Sequence, residues 1–358
     1  MRILIVSGFF YPTNTPRAFR TTELAKEFAR CGHEVTVMIP QNNYDYSDFL
    51  AQHKGISIAY YRQKVMNVKQ KFAYYTSRIL AIYAAYPDTK NMKNVADALK
   101  SQNGYNLLIS IAVPHYCHWG VNRAICKNPS LAKTWIADCG DPYMLSGTGD
   151  KHPFWLAGLE KSWCKRVDYI TVPIKDAISG YYPEFKEKIR VIPQGFDLKA
   201  ISLPEYKKND VPTFCFSGVF IKGKRDPRKM MEYLCSIDAP FKFYAYGGNV
   251  EGHLLQYKEK LVDKLILCKP IPRDQLLPRL AEMDFLLNIS NGVAVQSPSK
   301  LIDYTIAGRP IITIDTDNIK QEVLEEFFRG DYSRRDAPID ISQYDIRNVV
   351  DKFLSLCK

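Results

Sequence analysis

Lys300 and Asp303 stand three residues apart in the stretch Ser297-Pro298-Ser299-Lys300-Leu301-Ile302-Asp303-Tyr304-Thr305-Ile306-Ala307-Gly308-Arg309-Pro310, and together they could bind a nucleotide. Pro298 followed by Ser299 suits the start of a helix, because proline lacks the amide that would be orphaned there and a serine oxygen can cap the next ones. Such a helix start carries free amides and partial positive charge, which suit a phosphate, and the Lys300 ammonium adds a counter-charge. One turn deeper, the Asp303 carboxylate can accept hydrogen bonds from the two hydroxyls of a ribose. A lysine and an acid on one helix face also make an ordinary solvated pair, so spacing alone leaves both readings open. By the same periodicity Leu301, Ile302, Thr305 and Ile306 form the apolar stripe, with Lys300, Asp303 and Ala307 on the opposite face.

Further polar residues follow apolar runs that read as strands. The run 107–111 leads into His115 and His118, and 135–137 leads into Asp138 and Asp141. Open α/β sheets bind ligands beyond the carboxyl ends of their strands, which makes both groups candidates for a reacting side. His115 and His118 have no third ligand at a sensible spacing, so no metal site is expected. The run 213–217 meets Gly218, which permits close backbone approach, and behind it Lys222, Lys224, Arg225, Arg228 and Lys229 form a basic cluster.

The elements that hold these residues alternate. Residues 2–6 read as a strand, 17–30 as a helix ended by Gly32, and 35–39 as the next strand. No G-x-G-x-x-G fingerprint follows the first strand, which speaks against a nicotinamide or flavin cofactor. Strands are also expected at 169–172 and 189–192, then a polar linker over 199–212. A second series has strands at 213–217, 241–246, 265–267, 285–289 and 311–314, and a helix within 341–356. At 358 residues with 46% hydrophobic composition, two α/β domains are expected.

No apolar run approaches the ~18 residues needed to span a bilayer, and the first residues make no signal peptide, so the expected location is the cytoplasm. Nine cysteines without a C-x-x-C pair suit reduced thiols. A formal charge of +11 calls for an anionic partner: nucleic acid, an acidic membrane surface or a phosphorylated substrate. Residues 49–87 contain no Asp or Glu, while Lys54, Arg62, Lys64, Lys69, Lys71 and Arg78 alternate with Tyr60, Tyr61, Phe72, Tyr74, Tyr75, Tyr83 and Tyr86. That composition suits an amphipathic surface on an anionic membrane, with a solvated helix as the plain alternative.

The stretch P-S-K-L-I-D-Y-T-I-A-G-R-P at 298–310 resembles the nucleotide-binding stretch of GT-B glycosyltransferases of family 4, whose polysaccharide and glycolipid branch carries P-S-K-L-x-[DE]-Y-x-x-x-G-[KR]-P. Asp303 matches the second acid of that family's E-x7-E signature, and the first falls on Val295. Leu24 and Ala25, then Gly32-His33-Glu34-Val35-Thr36-Val37, resemble the family's opening unit; V-I-P-Q-G-F-D at 191–197 resembles its V-I-P-N-G-[FV]-D; and Gly140-Asp141-Pro142-Tyr143 resembles its R-D-x-W piece. The resemblance implies an α/β GT-B fold, two Rossmann-like domains facing across a cleft. Residues 1–198 would form the acceptor-side domain and 199–340 the nucleotide-sugar domain, with a helix in 341–358 packing back on the first.

It further implies a retaining transferase moving a sugar from a UDP- or GDP-linked donor to a glycan or lipid-linked acceptor, with no cofactor and no metal. The acid-free stretch 49–87 adds an anionic membrane surface, on the cytoplasmic face of the inner membrane, as an expected partner, and no nucleic acid is expected. Gly218, Ser299, Lys300, Leu301 and one of Lys224 or Arg225 would hold the diphosphate, since the family's Gly-Arg is Gly218-Val219 here. Asp303 would hold the ribose, and Ile271 in Lys269-Pro270-Ile271-Pro272 would pass the base. Asp141 and Lys300 are the implied catalytic residues, and Asn14, Thr15, Arg17 and His115 the implied acceptor-side residues. A nucleotide-sugar epimerase on the same frame and a basic nucleic-acid-binding protein are the alternatives.

Overall fold

The computed structural model describes residues 1–65, 71–145, 152–290 and 299–357, without the side chains of 71–77 and 299. The apolar run after Arg2 makes a strand covered on both faces: Leu4 and Val6 enter one core cluster, Ile3 and Ile5 another, and all four are fully buried. This strand, β1 (Arg2–Ser7), lies inside a seven-stranded sheet with β2 (Glu34–Pro40), β3 (Ile56–Tyr61), β4 (Tyr105–Ala112), β5 (Ala132–Cys139), β6 (Tyr169–Val172) and β7 (Ile189–Val191). Every pairing is parallel, in the order β3-β2-β1-β4-β5-β6-β7. Continuous apolar strands are what a parallel sheet buried on both faces requires.

The helix Pro16–Arg30 opens on Thr15, whose hydroxyl accepts from the Ala18 amide at 3.3 Å, with proline at its first position. Its buried Leu24, Ala25 and Phe28 share a cluster with Ile346, Val349, Val350 and Phe353 of the helix Ile346–Leu354. The returning chain is tied by the Phe196 amide donating to the Tyr344 carbonyl at 2.7 Å and the Ile346 amide to the Phe196 carbonyl at 2.9 Å. The first compact unit is therefore Met1–Leu198 with Ser342–Lys358, and the second is Lys199–Ile341.

In the second unit β8 (Thr213–Ser217), β9 (Lys242–Tyr246), β10 (Leu265–Cys268), β11 (Phe285–Ile289) and β12 (Ile311–Ile314) pair in parallel in the order β10-β9-β8-β11-β12. Phe214 stacks between Phe243 at 4.8 Å and Phe285 at 4.7 Å, which pins the three central strands together. The segment expected to be a polar linker is docked instead. Tyr206 donates to Asp284 at 2.5 Å, and the Arg309 guanidinium lies 3.3 Å above its ring.

Residues 49–87 do not form the single amphipathic surface that their composition suggests. Phe49 is buried in the short helix Ser47–Gln52, and the next residues form β3 on the sheet edge. Tyr61 is buried, its hydroxyl donating to the Ser7 carbonyl at 3.1 Å. Tyr60, Arg62, Lys64 and residues 78–84 of the helix Lys71–Ala84 are exposed; Lys69 lies outside the described residues. Among the described residues, no helix is long and apolar enough to cross a membrane.

Candidate functional site

The second sheet winds one way from β8 to β9 and the other way from β8 to β11. A crevice beyond the carboxyl ends of strands at such a reversal is where α/β sheets hold ligands. Ser217 and Gly218 close β8 there. Gly218 takes a φ of +133°, a backbone region that side chains disfavour, and its amide donates to the Tyr246 carbonyl at 2.9 Å. A side chain at Gly247 would collide with the Gly218 carbonyl oxygen, so two strand ends converge only because both residues are glycine. A cavity of about 290 Å³ opens at this point, lined by Gly218, Tyr246, Gly247, Ile271, Lys300 and Asp303 among others.

The helix Ser299–Ile306 is fixed beneath the cavity by Tyr304. Its buried hydroxyl accepts from the Ser217 amide at 2.8 Å and donates to the Leu287 carbonyl at 3.1 Å. Tyr304 and Ala307 are buried along with Ile302, so this helix is covered more widely than the apolar stripe read from the sequence, and Ala307 does not share a solvated face with Lys300. Leu301 packs against the cluster that holds Cys215 and Tyr304, which makes its side chain a packing group. Val295, Ser297 and Pro298 lie outside the described residues, and Ser299 is described by its backbone alone.

Lys300 Nζ is buried 4.5 Å from the Phe216 ring centroid and has no hydrogen-bond partner among the described residues. Burial, and after it the charge of Arg225, bring its pKa down to about 7. A desolvated ammonium with open donors beside a cavity is poised for an anion. Asp303 Oδ1 accepts from Arg273 Nε at 2.7 Å. Burial raises the Asp303 pKa, and the Arg273 guanidinium works against that rise.

Arg273 is absent from the sequence-based reading, although it directly follows the Lys269-Pro270-Ile271-Pro272 segment. It opens the helix Arg273–Ala281. A cation at a helix N-terminus opposes the helix dipole, and that local conflict is the signal that could have exposed it. Of the two basic residues left open by the sequence, Arg225 is half-buried, acts electrostatically on Lys300 and donates to the Val219 carbonyl at 3.1 Å. Lys224 is exposed; its carbonyl accepts from the Thr316 hydroxyl. Arg228 and Lys229 are engaged by Asp226 at 2.7 Å and Asp317 at 2.9 Å.

In the first unit, the carboxyl ends of β1, β4 and β5 bring Arg17, His115 and the Gly140-Asp141 turn together. A side chain at Gly140 would fall 2.5 Å from Arg17 Nη2. His115 lies 5.1 Å from Tyr143 between ring centroids, and its Nδ1 is buried with no partner among the described residues. Burial, then the charges of His152 and Arg17, hold its pKa down at about 3, so the ring is neutral at working pH. Asp141 and Asn14 are exposed, and Thr15 serves as the helix cap.

Two residues considered for a reacting side are structural. Asp138 is buried in a two-pronged ion pair with Arg20, at 2.8 and 3.0 Å, and accepts from the Thr171 hydroxyl at 2.7 Å. His118 is enclosed between Ser110 Oγ at 2.7 Å and Cys139 Sγ at 3.3 Å. Among the described residues, no three His, Cys, Asp or Glu side chains gather as a metal site would require.

No family model and no curated protein matches the sequence. Solved structures do match across the chain. A glycosyltransferase from Rickettsia africae aligns at a TM-score of 0.64 and 11% identity, covering 99% of this chain and 97% of that one. A lipopolysaccharide outer core galactosyltransferase aligns at 0.60 and 13%, covering 99% and 95%. The fold is GT-B. GT-B frames serve more than one reaction: a putative UDP-N-acetylglucosamine 2-epimerase from Listeria monocytogenes aligns at 0.57 and 11%, covering 99% and 95%.

Proposed function

We propose that the chain is a retaining glycosyltransferase of the family-4 type that takes a sugar from a nucleoside diphosphate sugar. One observation carries this reading: a lysine whose buried Nζ has no hydrogen-bond partner among the described residues and a half-buried aspartate share a cavity at the switch point of the second sheet. Gly218, Ile271 and the start of the Ser299–Ile306 helix complete the donor site, with Lys300 and Arg225 on the diphosphate and Asp303 on the ribose. The sugar's bond to the departing phosphate oxygen breaks, and a bond to the acceptor hydroxyl forms with configuration retained. Preorganised cations and amides stabilise the charge that grows on the leaving diphosphate, without a divalent metal. Asp141, with Asn14, Arg17 and His115, makes up the acceptor-side set on the first unit. The acceptor is a glycan carried on lipid, reached from the cytoplasmic face of an anionic membrane.

A donor screen scoring released nucleoside diphosphate, run in the presence of a chelator, tests the reaction. Release is expected from one UDP- or GDP-sugar with full turnover in chelator. Conversion of the sugar nucleotide without release would assign an epimerase instead, and activity restored only by magnesium or manganese would refute the metal-free mechanism. Asp303→Ala is expected to weaken nucleoside diphosphate binding by about 1.5 to 3 kcal/mol, as for hydrogen bonds to a charged group, measured by titration calorimetry.

A further inference from the structure

The helix Lys71–Ala84 ends in a run of apolar side chains that stay exposed among the described residues. Ile79, Ile82 and Tyr83 fall at i, i+3 and i+4, so they share one face, with Leu80 beside them, and all four are exposed. A second segment, seventy residues further along the chain, extends the same surface. Trp155 stacks on Tyr83 with ring centroids 6.1 Å apart and an interplanar angle of 18°, and its indole N–H donates to the Tyr83 carbonyl at 3.0 Å. Phe154 packs edge-on against Trp155 at 5.3 Å and is 81% exposed. Single exposed apolar residues are ordinary, but a contiguous set of this kind marks a docking surface.

The charge around this surface selects the occupant. Arg78 directly precedes Ile79 on the same helix, and residues 49–87, with Arg62 and Lys64 among them, hold no acid. A protein partner's core would ask for no such uniform sign. Aromatic side chains with a wet polar edge, above aliphatic side chains and beside cations, suit the headgroup boundary of a bilayer with anionic lipid. We propose that Ile79, Leu80, Ile82, Tyr83, Phe154 and Trp155 form a ridge that inserts shallowly into an anionic membrane surface, with the basic residues of the acid-free stretch on the lipid phosphates. The ridge rests on the proposed function only for the purpose it serves, the presentation of a lipid-linked acceptor; its geometry stands apart from the nucleotide cavity.

The chain carries its own reporter. Of its four tryptophans, Trp119, Trp135 and Trp163 are buried and Trp155 is 50% exposed, so a change in emission on membrane contact reads Trp155. The full chain is mixed with vesicles of phosphatidylcholine alone or with added phosphatidylglycerol, at low and physiological salt. Co-sedimentation and a blue shift of emission are expected only with the anionic vesicles, weakening as salt rises. The double variant Ile79→Glu and Phe154→Glu should lower partition by about tenfold or more, from the loss of two buried apolar side chains. Trp155→Phe should keep most of the binding while removing the blue shift.

Two results would overturn the ridge: wild type left in the supernatant with anionic vesicles at low salt, or undiminished binding by the double variant. A dimer in sedimentation velocity, without vesicles, that the double variant abolishes would assign the face to a second copy and reject the lipid. Calorimetry with UDP and GDP on every variant separates this from the nucleotide site. Retained nucleotide affinity with lost vesicle binding supports the ridge, and absent nucleotide affinity in wild type counts against the proposed function alone.

Discussion

Lys300 illustrates how one buried charge ties binding to pH. Its pKa near 7 in the free protein means that a nucleoside diphosphate binding beside it must draw a proton onto the amine. Affinity should therefore fall as pH rises above about 7, by up to about tenfold per unit, since one pKa unit corresponds to about 1.4 kcal/mol. Calorimetry in two buffers of different ionisation enthalpy reads the proton taken up, and Lys300→Met should flatten the profile; a wild-type affinity independent of pH from 7 to 9 would remove Lys300 from the anion site. Stability follows the opposite sense. The folded pKa lies below the ordinary 10.5, so the unfolded chain binds the extra proton, and stability gains from this group as pH rises from about 7 to 10.5. Spacing along one helix was enough to place Lys300 and Asp303 together. It could not show Arg273, which reaches Asp303 from thirty residues away through the fold, nor that Asp138 and His118 spend their polar atoms on buried partners.

At the level of elements, the strands were legible where an apolar run dominates, as in β1, β4 and β11, because burial on both faces selects apolar side chains and admits a polar one only with a partner, as Ser110 has in His118 and Asn288 in Thr313. β3 was hidden: Ile56-Ser57-Ile58 alternates as an edge strand does, but neighbouring lysines and tyrosines suggested a surface helix. The glycine crossing of β8 and β9 is also only half visible in the sequence, since Gly218 follows an apolar run but its contact with Gly247 requires the sheet. That crossing is testable. Tyr304→Phe leaves the Ser217 amide and the Leu287 carbonyl without their shared hydroxyl and should cost about 1 to 3 kcal/mol of stability in urea unfolding. Gly247→Ala forces the two strand ends apart, with an overpacking cost of about 1 to 3 kcal/mol, and nucleotide affinity should fall with it. Calorimetry showing full affinity in Gly247→Ala would detach the cavity from nucleotide binding.

For the whole molecule, the alternation of strands and helices disclosed two α/β units, whereas the anchoring of the last helix depends on contacts such as Phe28 with Phe353, at 6.4 Å between ring centroids. All four tryptophans lie in the first unit, so denaturant unfolding followed by tryptophan emission reports on that unit alone. Phe353→Ala should lower its stability by about 3 to 5 kcal/mol, the usual loss for a buried phenylalanine, while nucleotide binding by the second unit persists; an unshifted tryptophan transition would mean that the helix adds little. The same feature bears on how the protein is made. Synthesis is vectorial, and domains tend to fold as they leave the ribosome, yet residues 342–358 complete a core begun by residues 1–198. The second unit is therefore fully synthesised before the first can close, and the nascent chain must carry an open apolar seam along Leu24 and Phe28 through the whole elongation of its neighbour.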